Sequence, residues 1–314
     1  MNKKDKILIL GRTGLVGSSI VRKLEKEGYE RILAPSRSEL NLQDQNQVNK
    51  YFEKNDPHYV VLAAAKVGGI LANDTYSADF IFENLTIQQN VIGAAAFKTQ
   101  NLSKFIFLGS SCIYPKECSQ PIKEDYLLTG PLEKTNEAYA IAKIAGLKLC
   151  QHIRKQYNKE FISLMPTNLY GVNDNYDLNN SHVIPGLIAR LQNAIDNNES
   201  DFKVWGTGTP RREFLYVDDL ADACIHILKH DDPNISDIIN VGTGIDITIR
   251  ELVNILTELM QYKGKVSYDS SKPDGTMLKR LDTTLINKYG WQPKVSLKEG
   301  LKIAIEFYRR DVLK

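Results

Sequence analysis

Tyr139 and Lys143 stand four residues apart in Tyr-Ala-Ile-Ala-Lys, a spacing that sets a phenol and an ammonium on one face of a helix. A carbonyl that receives hydride at carbon needs a proton at its oxygen, and a phenol with a pKa of about 10 is a sluggish donor near neutrality. An adjacent ammonium stabilises the phenolate and draws that pKa toward the working range. Ser110, in Gly109-Ser110-Ser111-Cys112, offers a further hydrogen bond to the same oxygen. Either feature alone is common decoration of a helix or a strand end. Their joint occurrence with a glycine loop upstream is far more specific.

That loop is Gly11-Arg12-Thr13-Gly14-Leu15-Val16-Gly17, placed between the apolar run Lys6–Leu10 and a stretch with apolar residues at Ile20, Val21 and Leu24. Strand, glycine turn and helix in that order make an anion cradle, where backbone amides at a helix start meet a pyrophosphate. Ser36-Arg37 falls at the end of the second strand, where an NAD-preferring chain places a carboxylate against the ribose hydroxyl. Arginine there favours a 2′-phosphate, so the expected cofactor is NADPH/NADP.

The elements that must position these groups are legible as apolar, β-branched runs at Lys6–Leu10, Arg31–Ala34, Tyr59–Ala63, Lys104–Leu108, Phe161–Met165 and Asp237–Val241, separated by helix-length segments. Such runs need cover on both faces, which predicts an α/β, doubly wound parallel Rossmann sheet. The rhythm loosens after Pro166, with helices expected over Ile184–Asp196 and Thr248–Met260. A smaller, discontinuous α/β substrate domain follows, with 1–168 plus 213–246 for the cofactor and 169–212 plus 247–314 for the substrate.

Composition narrows the class further. The chain has 314 residues, 42% hydrophobic and 25% charged, with a net charge of +2 spread among interspersed acids and bases. This argues against nucleic acid and membrane partners. No export signal or bilayer-length apolar run is evident, so the expected location is cytoplasmic and Cys112, Cys118, Cys150 and Cys224 are expected as thiols. His226 and His230 lie one helical turn apart, but nothing supplies a third ligand, and an ordinary helix face is the better reading.

Glycine loop, strand-end serine and Tyr-x3-Lys together resemble the extended short-chain dehydrogenase/reductase pattern. The segments GSSCIYPK, TNEAYAIAKIAG, MPTNLYG, NSHVIPGLI, VWGTGTPRREFLYVDDLA, NVGTG and SKPDGT are similar to the GDP-L-fucose synthase family over almost the whole chain. The resemblance implies NADPH-dependent reduction at carbon 4 of a GDP-linked keto sugar after epimerisation of carbons 3 and 5, in a homodimer. It adds Cys112 and His182 as the acid and base of epimerisation. It also implies Leu108, Pro166, Asn168, Leu169 and His182 at the cofactor, and Arg190, Trp205, Arg212 and Lys279 on the nucleotide sugar. From the residues alone, Cys112 reads as core, Trp205 as core and Arg212 as a partner of Glu213.

Two departures from the family pattern stand out. The loop's arginine sits one place early, at Arg12, which leaves Arg37 as the chief 2′-phosphate contact. Met277-Leu278 replaces a Pro-Arg pair, so one cation is missing near Lys279. A C4-reductase acting without epimerisation, on a related sugar such as a 6-deoxy-heptose, is the rival function. Dehydration would need an acidic pair after the strand-four hydroxyl, where Cys112 and Ile113 stand.

Overall fold

The computed structural model describes every residue except 179, 273 and 314. Chain order is β1 (Ile7–Leu10), α1 (Leu15–Lys26), β2 (Ile32–Leu33), α2 (Gln45–Asn55), β3 (Tyr59–Leu62), α3 (Ile70–Thr75), α4 (Ser77–Phe97), β4 (Lys104–Leu108), α5 (Glu137–Tyr157) and β5 (Phe161–Pro166). Then come β6 (Asn168–Tyr170), α6 (Val183–Asp196), β7 (Asp201–Trp205), β8 (Arg211–Tyr216), α7 (Val217–Lys229), β9 (Ile238–Val241), β10 (Asp246–Thr248), α8 (Ile249–Met260), β11 (Lys265–Asp269), β12 (Leu278–Lys279), α9 (Thr284–Lys288) and α10 (Leu297–Phe307).

Strand side chains alternate between faces, and both faces here are covered. Leu8, Leu10, Val60, Leu62, Phe105, Phe107 and Phe161 enter one core with residues of α2, α4 and α5. Ile7, Ile9, Val61, Ile106, Ile162 and Leu164 enter another with α1 and α7. The result is a six-stranded sheet in the order β2-β1-β3-β4-β5-β9, parallel throughout. Strand order reverses between β1 and β3, and a ligand crevice lies outside the carboxyl ends of strands at such a point.

The smaller region has its own core, in which Leu187, Ile188, Phe202, Val204, Leu252, Leu256 and Leu301 meet. Its strands form a sheet around β8, which pairs with β10 antiparallel and with β12 and β6 in parallel. A two-stranded ribbon of β7 and β11 lies beside it. The chain crosses between the regions more than once: β8 lies in the small sheet, whereas α7 packs its apolar face under the large one, and Ile286 and Trp291 return to that core. No helix among the described residues is long and apolar enough to cross a membrane.

Candidate active site

The turn after β1 closes on itself. Gly14 N donates to Gly11 O at 3.1 Å, and Gly11 sits at φ +104°, where a β-carbon would lie 2.8 Å from Ala64 N. A β-carbon on Gly17 would meet Gly11 O at 2.1 Å, so neither position admits a side chain without opening the loop. Helix α1 begins with no side-chain cap and no acidic residue in its first turn. Its first N–H groups are therefore available to an anion. Thr13 faces solvent, and Leu15 and Val16 are half-buried, Val16 against the core beneath α1.

Arg12 Nη1 donates to Ala34 O at 3.0 Å, which carries the early arginine across to the end of β2. Arg37, just beyond, is exposed and has no side-chain partner among the described residues. Sequence reasoning missed Glu39, whose carboxylate accepts from Ser36 N at 2.6 Å. Hydrogen bonds from Ser36 hold its carboxyl below the usual range, with Arg12 adding a smaller pull.

At the end of β4, Ser110 Oγ accepts from Cys112 N at 3.2 Å and starts a single helical turn over Ser111–Ile113. Tyr139 and Lys143 project from the first turns of α5, with Lys143 Nζ 5.7 Å from the Tyr139 ring centre. Lys143 is only 3% exposed, and its Nζ donates to Leu108 O at 2.8 Å. Burial lowers its ammonium to about 7. The spacing predicts a phenol drawn down by this lysine, but burial wins at Tyr139 and pushes it up, with Cys112 adding to the rise and a Ser110 hydrogen bond opposing it. The phenol also meets Phe80 edge-on, ring centres 6.5 Å apart.

Cys112 is half-buried rather than sealed in the core. Burial raises its thiol, but Lys279 close by, with hydrogen bonds involving Ser110, Lys279 and Asn136, outweighs burial and leaves the group below its ordinary value. His182 stands at the start of α6, its side chain making no cap hydrogen bond, and keeps an accessible surface, yet enough protein surrounds the ring that desolvation pushes its imidazole down. Pro166 ends β5, Asn168 Nδ2 donates to Glu213 O at 2.8 Å, and Leu169 packs against the core under α7.

The four residues expected on the nucleotide sugar divide into two groups. Arg190 lies with its guanidinium carbon 5.1 Å from the Trp205 ring centre and 5.5 Å from that of Phe202, and Trp205 is 62% exposed, which removes it from the core. Arg212 and Lys279 are register partners across β8 and β12. Arg212 does not pair with Glu213; its Nη1 donates to Arg211 O at 2.9 Å, and burial lowers the group. Glu213 points the other way, fully buried, where its carboxylate accepts from Thr243 N at 2.6 Å, Gly244 N at 2.8 Å and Leu281 N at 2.8 Å. An acidic residue directly after two arginines looks like a surface ion pair in sequence, and only the fold reveals its backbone partners.

Residues 7–242 match the model of the "NAD dependent epimerase/dehydratase family". The chain is 50% identical to GDP-L-fucose synthase 1 of Arabidopsis thaliana, with 99% of this chain and 95% of that one covered. It is 49% identical to GDP-L-fucose synthase of Escherichia coli, with 97% of each covered. Among solved structures, a GDP-mannoheptose C4 reductase from Campylobacter jejuni with NADP bound superposes with a TM-score of 0.91 at 35% identity, over 98% of this chain and 99% of that one. Full-length likeness at this level, together with the glycine cradle and the Ser110, Tyr139 and Lys143 cluster, makes the chain a member of the NAD dependent epimerase/dehydratase family.

Proposed function

We propose that this protein is a GDP-L-fucose synthase: it takes a GDP-4-keto-6-deoxy-mannose, epimerises carbons 3 and 5, and reduces carbon 4 with NADPH. The observation that carries this reading is the meeting of Ser110, Cys112, Tyr139 and Lys143 at the end of β4, in a chain about half identical to enzymes of that name.

The residues present suit the dinucleotide. Gly11 and Gly17 leave the backbone bare, α1 offers unpaired N–H groups, and Arg12 with Arg37 supplies positive charge at the end of β2. NADPH, when bound, supplies the hydride. The chain's own groups handle protons: Ser110 and Tyr139 bind the ketone oxygen, and Tyr139 passes its proton there as the carbonyl is reduced. Lys143, anchored on Leu108 O, sits behind the phenol and stabilises the phenolate left behind. The same oxygen contacts stabilise the enolate formed when a proton leaves carbon 3 or 5, and Cys112 and His182 exchange that proton from opposite ring faces. Arg190, Trp205 and Arg212 serve the nucleotide, guanidinium groups gripping phosphate oxygens and the indole packing on a ring.

Two measurements test the reading. The enzyme incubated with the 4-keto sugar in deuterated water without NADPH should incorporate deuterium at carbons 3 and 5. With NADPH it should then oxidise the cofactor, and Tyr139→Phe should slow that step by roughly 10²- to 10⁴-fold. The likeness to the C4 reductase favours a second reading, reduction alone on a heptose counterpart. Turnover of the heptose without deuterium uptake from solvent would establish it in place of the first.

In this reading residues 1–168 plus 213–246 serve the cofactor and 169–212 plus 247–314 the sugar, with the packing departing from those bounds where β8 joins the small sheet and Ile286 and Trp291 enter the core of the large one. The four cysteines are free thiols, which suits the cytoplasm. A homodimer completes the picture. Phe82, Leu85, Ile141 and Leu149 stand exposed on α4 and α5, at helical spacing, and a second copy of the same face would cover them.

A further inference from the structure

Lys279 and Cys112 are 167 residues apart in the chain, yet Lys279 Nζ lies 3.5 Å from Cys112 Sγ. The lysine is not a free surface arm. It belongs to β12, whose Leu278 and Lys279 pair with Arg211 and Arg212 of β8. The strand's continuation is tied to the segment that follows Cys112: Ile122 N donates to Arg280 O at 2.8 Å, Arg280 N donates to Gln120 Oε1 at 3.0 Å, and Asp282 N donates to Ile122 O at 2.8 Å. Glu213 takes Leu281 N on the other side. The ammonium is thus delivered to the sulfur by a strand held from two directions.

We propose that Lys279 is a positioning residue for Cys112, holding its sulfur as a thiolate so that it serves as the base that removes the acidified sugar proton. The proposal rests on the epimerase reading above and deepens it, since the resemblance assigns Lys279 to the substrate and leaves the base without a partner. In the step, the C–H electron pair moves into the enolate, whose oxygen is the former ketone, and the proton passes to Sγ. A proton returns to carbon on the other face from His182, and thiol and imidazole then recover their starting states by exchange with solvent. The groups that face the sulfur are Lys279 from β12, the Ser110 hydroxyl from its own turn, Asn136 from the turn before α5 and the Tyr139 phenol from α5. Among the described residues named here Lys279 is the cation, and it also acts on Cys118. Neutral donors steady a thiolate, but a full positive charge at this distance outweighs them.

The test reads the thiol directly, without substrate. Carbamidomethylation of Cys112 by iodoacetamide is followed against pH in the full-length enzyme, resolved from Cys118 by peptide mass spectrometry. Lys279→Met and Lys279→Gln should each move the midpoint upward by about one pH unit or more, which slows alkylation roughly tenfold at pH values below the wild-type midpoint, because each unit there is a factor of ten in thiolate. Lys279→Arg should restore most of the rate. An unchanged midpoint in folded Lys279→Met and Lys279→Gln overturns the proposal, even if their turnover falls, and leaves Lys279 as a substrate contact alone. Deuterium uptake by the wild type and by Cys112→Ala is scored separately. Absence of uptake in the wild type defeats the epimerase reading, while the alkylation midpoint still decides whether Lys279 controls the thiol.

Discussion

Lys143 has little exposed surface and one carbonyl for company, so its charge is poorly solvated. Its ordinary value of 10.5 applies to the unfolded chain, and burial brings the folded value to about 7. Between those two values the unfolded chain binds more protons, so stability from this group rises with pH. The contribution is complete above 10.5 and is lost as pH falls through 7, where a buried ammonium must be carried in full. Replacing Lys143 by Met should therefore raise the urea midpoint more at pH 6 than at pH 9, while reduction of the ketone is lost. An equal gain at the two pH values would contradict the account. A residue that costs stability where it works belongs to the chemistry more than to the core.

At the scale of elements, Glu213 ties two pieces of chain to β8 through backbone amides: the Thr243-Gly244 turn after β9 and the strand leaving β12. Glu213→Gln keeps the shape but turns an amide NH₂ toward at least one backbone N–H. That leaves a buried donor unmatched, at a cost of about 1–3 kcal/mol. The expected result is a lower urea midpoint with a weakened grip on Lys279, read as faster hydrogen exchange at Leu281. Gly17→Ala tests the other end of the crevice. Its β-carbon has no room against Gly11 O, so NADPH affinity should fall at least tenfold, measured by fluorescence titration of the reduced cofactor.

Elements also set what could be read beforehand. The six apolar runs became the six parallel strands, each bound shifted by two residues or fewer, because a strand covered on both faces announces itself in composition. The small sheet did not. β6 has three residues and β12 two, too short for a period, and their stability comes from partners far along the chain. The same distance hid the pairing of Lys279 with Cys112 and the inward turn of Glu213. The plain core reading of Trp205 fails for a local reason: β7 alternates buried and exposed, and the tryptophan falls on the outward beat.

On the scale of the whole molecule, α4 and α5 pack on each other along the large sheet and turn Phe82, Leu85, Ile141 and Leu149 outward. An apolar stripe of this kind is costly in water, and the proposed homodimer would cover it with a second copy of the same face. Light scattering should report twice the chain mass, and the pair Phe82→Glu with Ile141→Glu should yield monomers. A wild-type monomer at micromolar concentration would remove the dimer from the functional reading without touching the chemistry.

Only two tryptophans are present, and the fold has given them opposite surroundings. Trp291 is 2% exposed, with its indole N–H donating to Asp222 at 3.1 Å, whereas Trp205 stands open to solvent beside Arg190. Acrylamide should therefore quench one emitter and spare the other, so the protein carries its own optical gauge of the cleft proposed for the sugar together with an internal reference. GDP alone, with no chemistry to follow, should shield the quenchable half of the signal.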